Sequence, residues 1–529
     1  MIRRSRHSAP AARGAGTGVS LLIAATVVAG CAPVTPGADP RFADSDVHPQ
    51  GEVTTSETPP PPPELAAPSQ DLMWRDCTTR VFDDAAIPPA AGITLECATF
   101  DADLDPLNGS SAKITVGAVR ARSDKTPEDA APLVLTTGTD IPSSHQLAVW
   151  TARTGADLVD NRPVVAVDRR GIGLSSAAVC RDSFDRRAMA DQAQFEPGDD
   201  QVANLNKIAI TAANNCTDAV PQGGIAYDNA HAAEDLEVLR SRWDVPGLAL
   251  LGIGNGAQVA LAYAASHPNK VARLVLDSPI TLGVNAEAAA EQRVVGAQAA
   301  LDAFAAQCVA MNCALGPNPK GAVDALLADA RAGRGPGGAA VSAVAHAIIT
   351  ALGYPSADPA ASTLALADIL AAARDGDAGG LKALIERSES LRGTDGQYIS
   401  VCSDSLNRPT PNRVRELVVA WGKQYPQFGA VAALDMVPCL AWPSSSPVEP
   451  PADLDPDVLL LGVQKSDPIV GAGMAATAAT VLNGGAASKR VMWQGVGHGA
   501  SVYSPCAVPP VIAYLTDGTL PDSDTFCPA

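Results

Sequence analysis

The chain has 529 residues, 47% hydrophobic and 18% charged, with a formal net charge of -19 at pH 7. That length allows one large domain with an insertion, or two or three smaller ones, and a sizeable buried core. The acid excess argues against nucleic acid or an anionic lipid surface as a partner.

At the N-terminus Arg3, Arg4, Arg6 and Arg13 precede a short apolar run, VSLLIAATVVAG, which ends in the order Val28-Ala29-Gly30-Cys31. The run falls short of the roughly 20 apolar residues of a transmembrane helix. Small residues leading to a cysteine predict a bacterial lipoprotein signal over residues 1–30, with Cys31 as the lipidated residue. The Arg3-Arg4 pair lacks the rest of a twin-arginine motif. Residues 1–30 hold four arginines and no acid, so their removal moves the charge from -19 to -23. Residues 31–70, with TPPPPPELAAP, read as a Pro-rich extended tether. The expected location is the outer face of the cytoplasmic membrane, lipid-anchored or released.

Within a core segment of residues 71–280, from about residue 110 to 280, short runs of Val, Ile and Leu alternate with helical patterns, the βαβ signature of a mostly parallel sheet. The candidate strands are KITVGAV, PLVLTT, PVVAVD, LALLGI and RLVLDS. In NAHAAEDLEVLRSRW, Ala232, Leu236 and Leu239 recur at helical spacing and predict a sheet-facing helix. Residues 281–450 change to Ala-rich helices with glycine breaks, a helical lid. Strands resume in 451–529 with DVLLLGV and KRVMWQG. The predicted fold class is therefore α/β, a mostly parallel sheet with an inserted helical lid.

Ten cysteines remain besides Cys31: Cys77, Cys97, Cys180, Cys216, Cys308, Cys313, Cys402, Cys439, Cys506 and Cys527. An even count in an exported chain predicts disulfides, with sequence neighbours closing five local loops. There is no CxxC pair and no histidine at ligand spacing beside a cysteine, so neither a metal nor a cofactor is expected.

The turn Gly252-Ile253-Gly254-Asn255-Gly256 follows a strand and opens a helix. Gly252-x-Gly254-x-x-Ala257 fits a dinucleotide fingerprint, with Asp277 ending the next strand as the ribose-binding acid. Against it, about three strands precede the turn, and nicotinamide cofactors are scarce outside the cell. The competing reading is a nucleophile elbow, G-x-Nu-x-G, which demands an acid after a later strand and a histidine after the last. Asp467 follows DVLLLGVQKS and His498 follows KRVMWQGVG. Asp467 would orient the imidazole, and His498 would act as general base and then acid. His231, His267 and His346 have no comparable context.

WRDC, LECATF, VDRRGIGLSSAAVC, AAEDLEVLR, GIGNGAQVALAYAASHPNKVARLVLDSP, VCSD, KSDPIV, GVGHG and YLTDGTLPDSDTFC together resemble the tripeptidyl aminopeptidase-like branch of the α/β-hydrolases, exported serine peptidases and esterases of actinobacteria. The resemblance covers roughly residues 74 to 527. It implies an α/β-hydrolase fold, a disulfide-rich core, and a lid carrying a pocket for a peptide or ester ligand. Two departures stand out. Relatives usually have a serine where this chain has Gly254, and a GGPG loop where it has TTGTDIPSS. Oxyanion donors would then be the Asn255 backbone N–H and a group near Thr139. Without the elbow hydroxyl, acyl-enzyme chemistry through residue 254 is lost. What remains is a noncatalytic binding protein, water activated by His498, or a substitute hydroxyl from Ser143, Ser144 or Ser175. With Asp467 and His498 assembled, Gly254→Ser alone would be expected to create esterase activity.

Overall fold

A computed structural model describes residues 61–110, 112–219, 225–355, 358–443, 448–451, 454, 456–482 and 486–529. The proposed signal segment, Cys31 and most of the proposed tether lie outside these residues.

Ten strands form one sheet: β1 (Arg75–Asp76), β2 (Ile93–Asp103), β3 (Lys113–Ser123), β4 (Leu133–Thr136), β5 (Val164–Val167), β6 (Leu248–Ile253), β7 (Val271–Asp277), β8 (Val458–Val463), β9 (Ser488–Trp493) and β10 (Thr525–Cys527). Their order across the sheet is β1-β2-β3-β5-β4-β6-β7-β8-β9-β10. The first three pairings are antiparallel, and every pairing from β5 to β10 is parallel. β4, β5, β6 and β8 are buried at every position. This is why they read as unbroken Val, Ile and Leu runs: helices cover both faces of a parallel sheet.

β2 was not among the expected strands. Its alternation changes phase midway: Ile93 and Leu95 are buried in the first half, Ala98, Phe100 and Ala102 in the second. The two sets join different apolar clusters, so the strand buries one face at its start and the other at its end. A period-2 search loses such a strand at the crossover.

The chain runs from β4 outward to β5, then returns to place β6 on the other side of β4. That reversal is a topological switch point at the carboxyl ends of β4 and β6, the position at which open parallel sheets place ligands. The helix Gly256–Ser266 leaves β6 from this point.

Between β7 and β8 the described residues form eight α-helices and no strand, from Ala286–Ala310 to Gly429–Leu434. They bury a core of their own around Leu301, Phe304, Leu327, Val344 and Ile348. Polar caps start several of them. Asn285 accepts from the Ala288 N–H, and Thr394 forms a capping box with Gln397. Arg169 pairs with Asp404 at 2.7 Å, and Arg181 with Asp395 at 2.8 Å, fastening the helix Asp395–Asp404 to the segment after β5.

The ten cysteines pair as sequence neighbours: Cys77–Cys97, Cys180–Cys216, Cys308–Cys313, Cys402–Cys439 and Cys506–Cys527. Five disulfides are the chemistry of an exported chain. Among the described residues no helix is long and apolar enough to cross a membrane, and no group of His, Cys, Asp and Glu side chains is placed to hold a metal ion.

Candidate active site

The turn after β6 is an elbow. Gly254 has φ +58°, the left-handed region, and its N–H donates to the Asp277 carbonyl at 2.9 Å. At Gly256 a β-carbon would lie 1.9 Å from the Thr136 carbonyl oxygen, so only glycine lets helix and β4 approach this closely.

His498 follows β9, and its N–H donates to the Gly353 carbonyl of the lid at 2.9 Å. Its Nδ1 lies 3.0 and 3.1 Å from the two oxygens of Asp467. Asp467, after β8, is fixed in turn by the N–H groups of Ile469 (2.9 Å) and Val470 (3.2 Å). Elbow, acid and histidine thus meet at one end of the sheet, with Asp467 and His498 each only 1% exposed.

The other edge of the imidazole holds a residue that the sequence reading passed over. Asp140, in the loop after β4, places Oδ2 3.5 Å from His498 Nε2. The same oxygen accepts the Asn255 backbone N–H at 2.8 Å, and Oδ1 accepts the Asn255 side-chain amide at 2.5 Å. A β-carbon on residue 254 would lie 2.0 Å from Asp140 Oδ2 and 2.6 Å from His498 Nε2. The Asp140 carboxylate therefore fills the nucleophile position and takes the amide expected to stabilise an oxyanion. This corrects the expectation for Gly254→Ser: a serine there requires Asp140 to move.

Gln397 latches this loop to the lid, its side-chain amide reaching the carbonyls of Leu391 (2.6 Å), Thr139 (3.2 Å) and Asp140 (3.4 Å). Thr139 thus offers Gln397 an acceptor, and the group facing the elbow beside it is the Asp140 carboxylate. Tyr354 caps the site from the lid, its ring edge-on to His498 with centroids 5.6 Å apart. Burial opposes charging His498, but Asp467 and Asp140 on its two edges outweigh that and push its pKa up to about 10. The raised pKa favours the charged imidazole, a form that cannot accept a proton as a general base.

The substitute hydroxyls are engaged elsewhere. Ser143 Oγ accepts the Thr137 N–H at 3.1 Å, Ser144 Oγ donates to Asp168 at 2.8 Å, and Ser175 Oγ donates to the Asp168 carbonyl at 2.8 Å. Asp277 offers no acid for a ribose, because it is fully buried and accepts from Ala500 N, Ser501 N and Ser501 Oγ. His231 sits between Asp228 and Asp105, His267 beside Glu234, and His346 beside Asp435, all apart from the elbow. Of the residues missed, Asp140 had a legible signal: an acid in the loop that should supply an oxyanion donor, in a chain without the elbow hydroxyl. Tyr354 and Gln397 had none, since their roles come from tertiary packing.

Comparison with known proteins agrees with this architecture. Serine protease Hip1 from Mycobacterium tuberculosis, and the same protein from Mycobacterium bovis, are 25% identical over 226 residues, 42% of this chain and 43% of theirs. The match thus spans less than half the length of these curated relatives. Among solved structures, an esterase from a Rhodococcus species aligns with TM-score 0.35 at 17% identity, over 77% of this chain and 96% of its own. A lipase from Acinetobacter baumannii aligns with TM-score 0.36 at 13% identity, over 83% and 97%. Residues 141–317, from the loop after β4 into the lid, match the alpha/beta hydrolase fold family, and residues 425–527, which carry Asp467 and His498, match the TAP-like protein family. With the elbow in the first segment and the acid and histidine in the second, the chain has the α/β-hydrolase fold and resembles the TAP-like proteins in its C-terminal segment.

Proposed function

We propose that this protein is an exported, envelope-anchored α/β-hydrolase that does not carry out serine acyl transfer and instead binds a peptide or acyl ligand under its lid. The anchor in this reading is a lipid on Cys31. The observation that carries it is the Asp140 carboxylate in the space a nucleophile would need, holding the Asn255 amide and facing His498 Nε2. The engaged hydroxyls of Ser143, Ser144 and Ser175 support it further. Membership of a hydrolase family supplies the scaffold and lid, and this reading keeps both while giving up the acyl-enzyme step.

The test is to expose the purified chain to a fluorophosphonate probe and to short-chain p-nitrophenyl esters. No labelling and no turnover above background are expected. Labelling or turnover that disappears in His498→Ala would overturn the reading. Metabolic labelling with a lipid precursor, in the chain and in Cys31→Ala, tests the anchor separately.

A further inference from the structure

At the elbow the chain holds a carboxylate of its own. Asp140 Oδ2 accepts the Asn255 backbone N–H at 2.8 Å, and Oδ1 accepts the Asn255 side-chain amide at 2.5 Å. Asn255 is the N-cap of the helix Gly256–Ser266, so both donors stand at a helix N-terminus, where anions are favoured. Gly254 makes room beside them. A β-carbon there would lie 2.0 Å from Asp140 Oδ2, so the carboxylate oxygen occupies space that any other residue would take. The missing serine and the seat for a carboxylate are one feature.

The fit of Asp140 in this seat is incomplete. His498 is 1% exposed, yet its Nε2 makes no hydrogen bond among the described residues and faces Asp140 Oδ2 at 3.5 Å, while Nδ1 is held by Asp467. Against burial, the two flanking acids favour the charged imidazole, in which Nε2 has a proton to donate. A buried donor left without an acceptor is costly. Tethered to its loop, Asp140 satisfies Asn255 and stops short of the imidazole. A carboxylate free of that tether can approach all three donors. Gln397 holds the loop through the carbonyls of Thr139 and Asp140, so the latch to the lid grips backbone and not the carboxylate.

We infer that the elbow is a carboxylate-binding seat, filled in this structure by Asp140, and that a ligand enters it through a carboxylate of its own, displacing the Asp140 side chain. The donors are the Asn255 backbone N–H, the Asn255 side-chain amide and His498 Nε2. The exchange is one carboxylate for another, so the imidazole keeps an acid on each edge and the charge of the site is unchanged. A neutral amide in the same place forgoes the charge-assisted hydrogen bonds, and an amine offers these donors no acceptor. The inference rests on the ligand-binding reading above and names the group by which the ligand is held.

Calorimetric titration of the unaltered chain tests it with two acids, each against its neutral amide: an N-acetylated alanine tripeptide and its C-terminal amide, and butyrate and butyramide. At least one acid is expected to bind at millimolar concentration or below, about tenfold or more tighter than its amide. The two acids distinguish a peptide carboxylate from an aliphatic one. Asp140→Gly removes the internal competitor and should tighten the same acid about tenfold. It also deletes a CH2–COO⁻ group that acetate can replace, so acetate should raise the unfolding temperature of this variant where acetamide and chloride at equal concentration do not. Adding Gly254→Ala to Asp140→Gly should abolish acid binding, because a methyl group then fills the seat. Equal binding of acid and amide by the unaltered chain, no binding of either acid, or an affinity unchanged in Asp140→Gly overturns the inference. So does an acetate effect matched by acetamide, or acid binding that survives Gly254→Ala. The comparison of acid with amide uses the unaltered chain, so a variant that fails to fold does not remove the test. Ester turnover would defeat the noncatalytic reading while leaving the acid preference measurable.

Discussion

Two loops bring a carboxylate to opposite edges of one imidazole. After β8, Asp467 sits 3.0 Å from Nδ1, anchored by the N–H groups of the two residues beyond Pro468. After β4, Asp140 sits 3.5 Å from Nε2, anchored by the backbone and side chain of Asn255. Both are almost fully buried, and both favour the charged imidazole. What differs is the edge they occupy. The Asp467 side orients the ring and leaves its reactive nitrogen free; the Asp140 side covers that nitrogen and the elbow amide together. The half of a hydrolase site that orients groups is thus separable from the half that reacts.

The sharpest way to break this comparison is to reverse the reactive half. Gly254→Ser combined with Asp140→Gly should turn a silent site into one that reacts with fluorophosphonate and cleaves activated esters. A serine nucleophile is worth on the order of 10⁶ in rate in a mature serine hydrolase, so even an imperfect triad should rise well above background. Gly254→Ser alone should stay at background, because its side chain collides with Asp140. Equal activity in the single and double variants would show that Asp140 is not the obstacle.

The next effects fall on stability. Asp467→Asn should cost about 3 kcal/mol in a urea titration, since it strips a buried cation of its better-placed partner. Asp140→Asn should cost less, about 1 to 2 kcal/mol, because the new side chain still offers Asn255 an acceptor oxygen. A larger loss at Asp140 would mean that the loop after β4 is the main anchor of the imidazole. That would invert the comparison.

Much of this arrangement was legible because it follows from local pattern. The seven strands β3 to β9 are short apolar runs, and Asp467 and His498 lie just after two of them. β2 escaped because its buried residues change phase between Leu95 and Ala98. Asp140 escaped for a different reason. Its loop was read for donors that a relative would have, so the acid in it was passed over, and its partner, the Asn255 amide, is set by how Gly138 and Asp140 fold against the elbow. Tyr354, at the C-cap of the helix Val341–Gly353, and Gln397, in the helix Asp395–Asp404, owe their places to lid packing, which no spacing rule encodes.

The last effect is a pH dependence that reads the two carboxylates through the proton they share. His498 has its pKa raised from 6.5 to about 10, so the folded chain holds a proton there that the unfolded chain gives up near pH 6.5. The stability from this proton is complete below about pH 6.5 and is lost as pH rises toward 10. Across that window it should fall by up to about 1.4 kcal/mol per pH unit. His231 and His267 are also raised, by acids beside them that outweigh burial, so the informative quantity is the difference between the unaltered chain and His498→Gln. Asp140→Asn removes one of the two charges that hold the proton. The upper end of the window should then move toward neutrality, while Asp467 keeps it above the unfolded value. An upper end that stays in place in Asp140→Asn would mean that Asp467 alone charges the ring, and that Asp140 only fills the space above it.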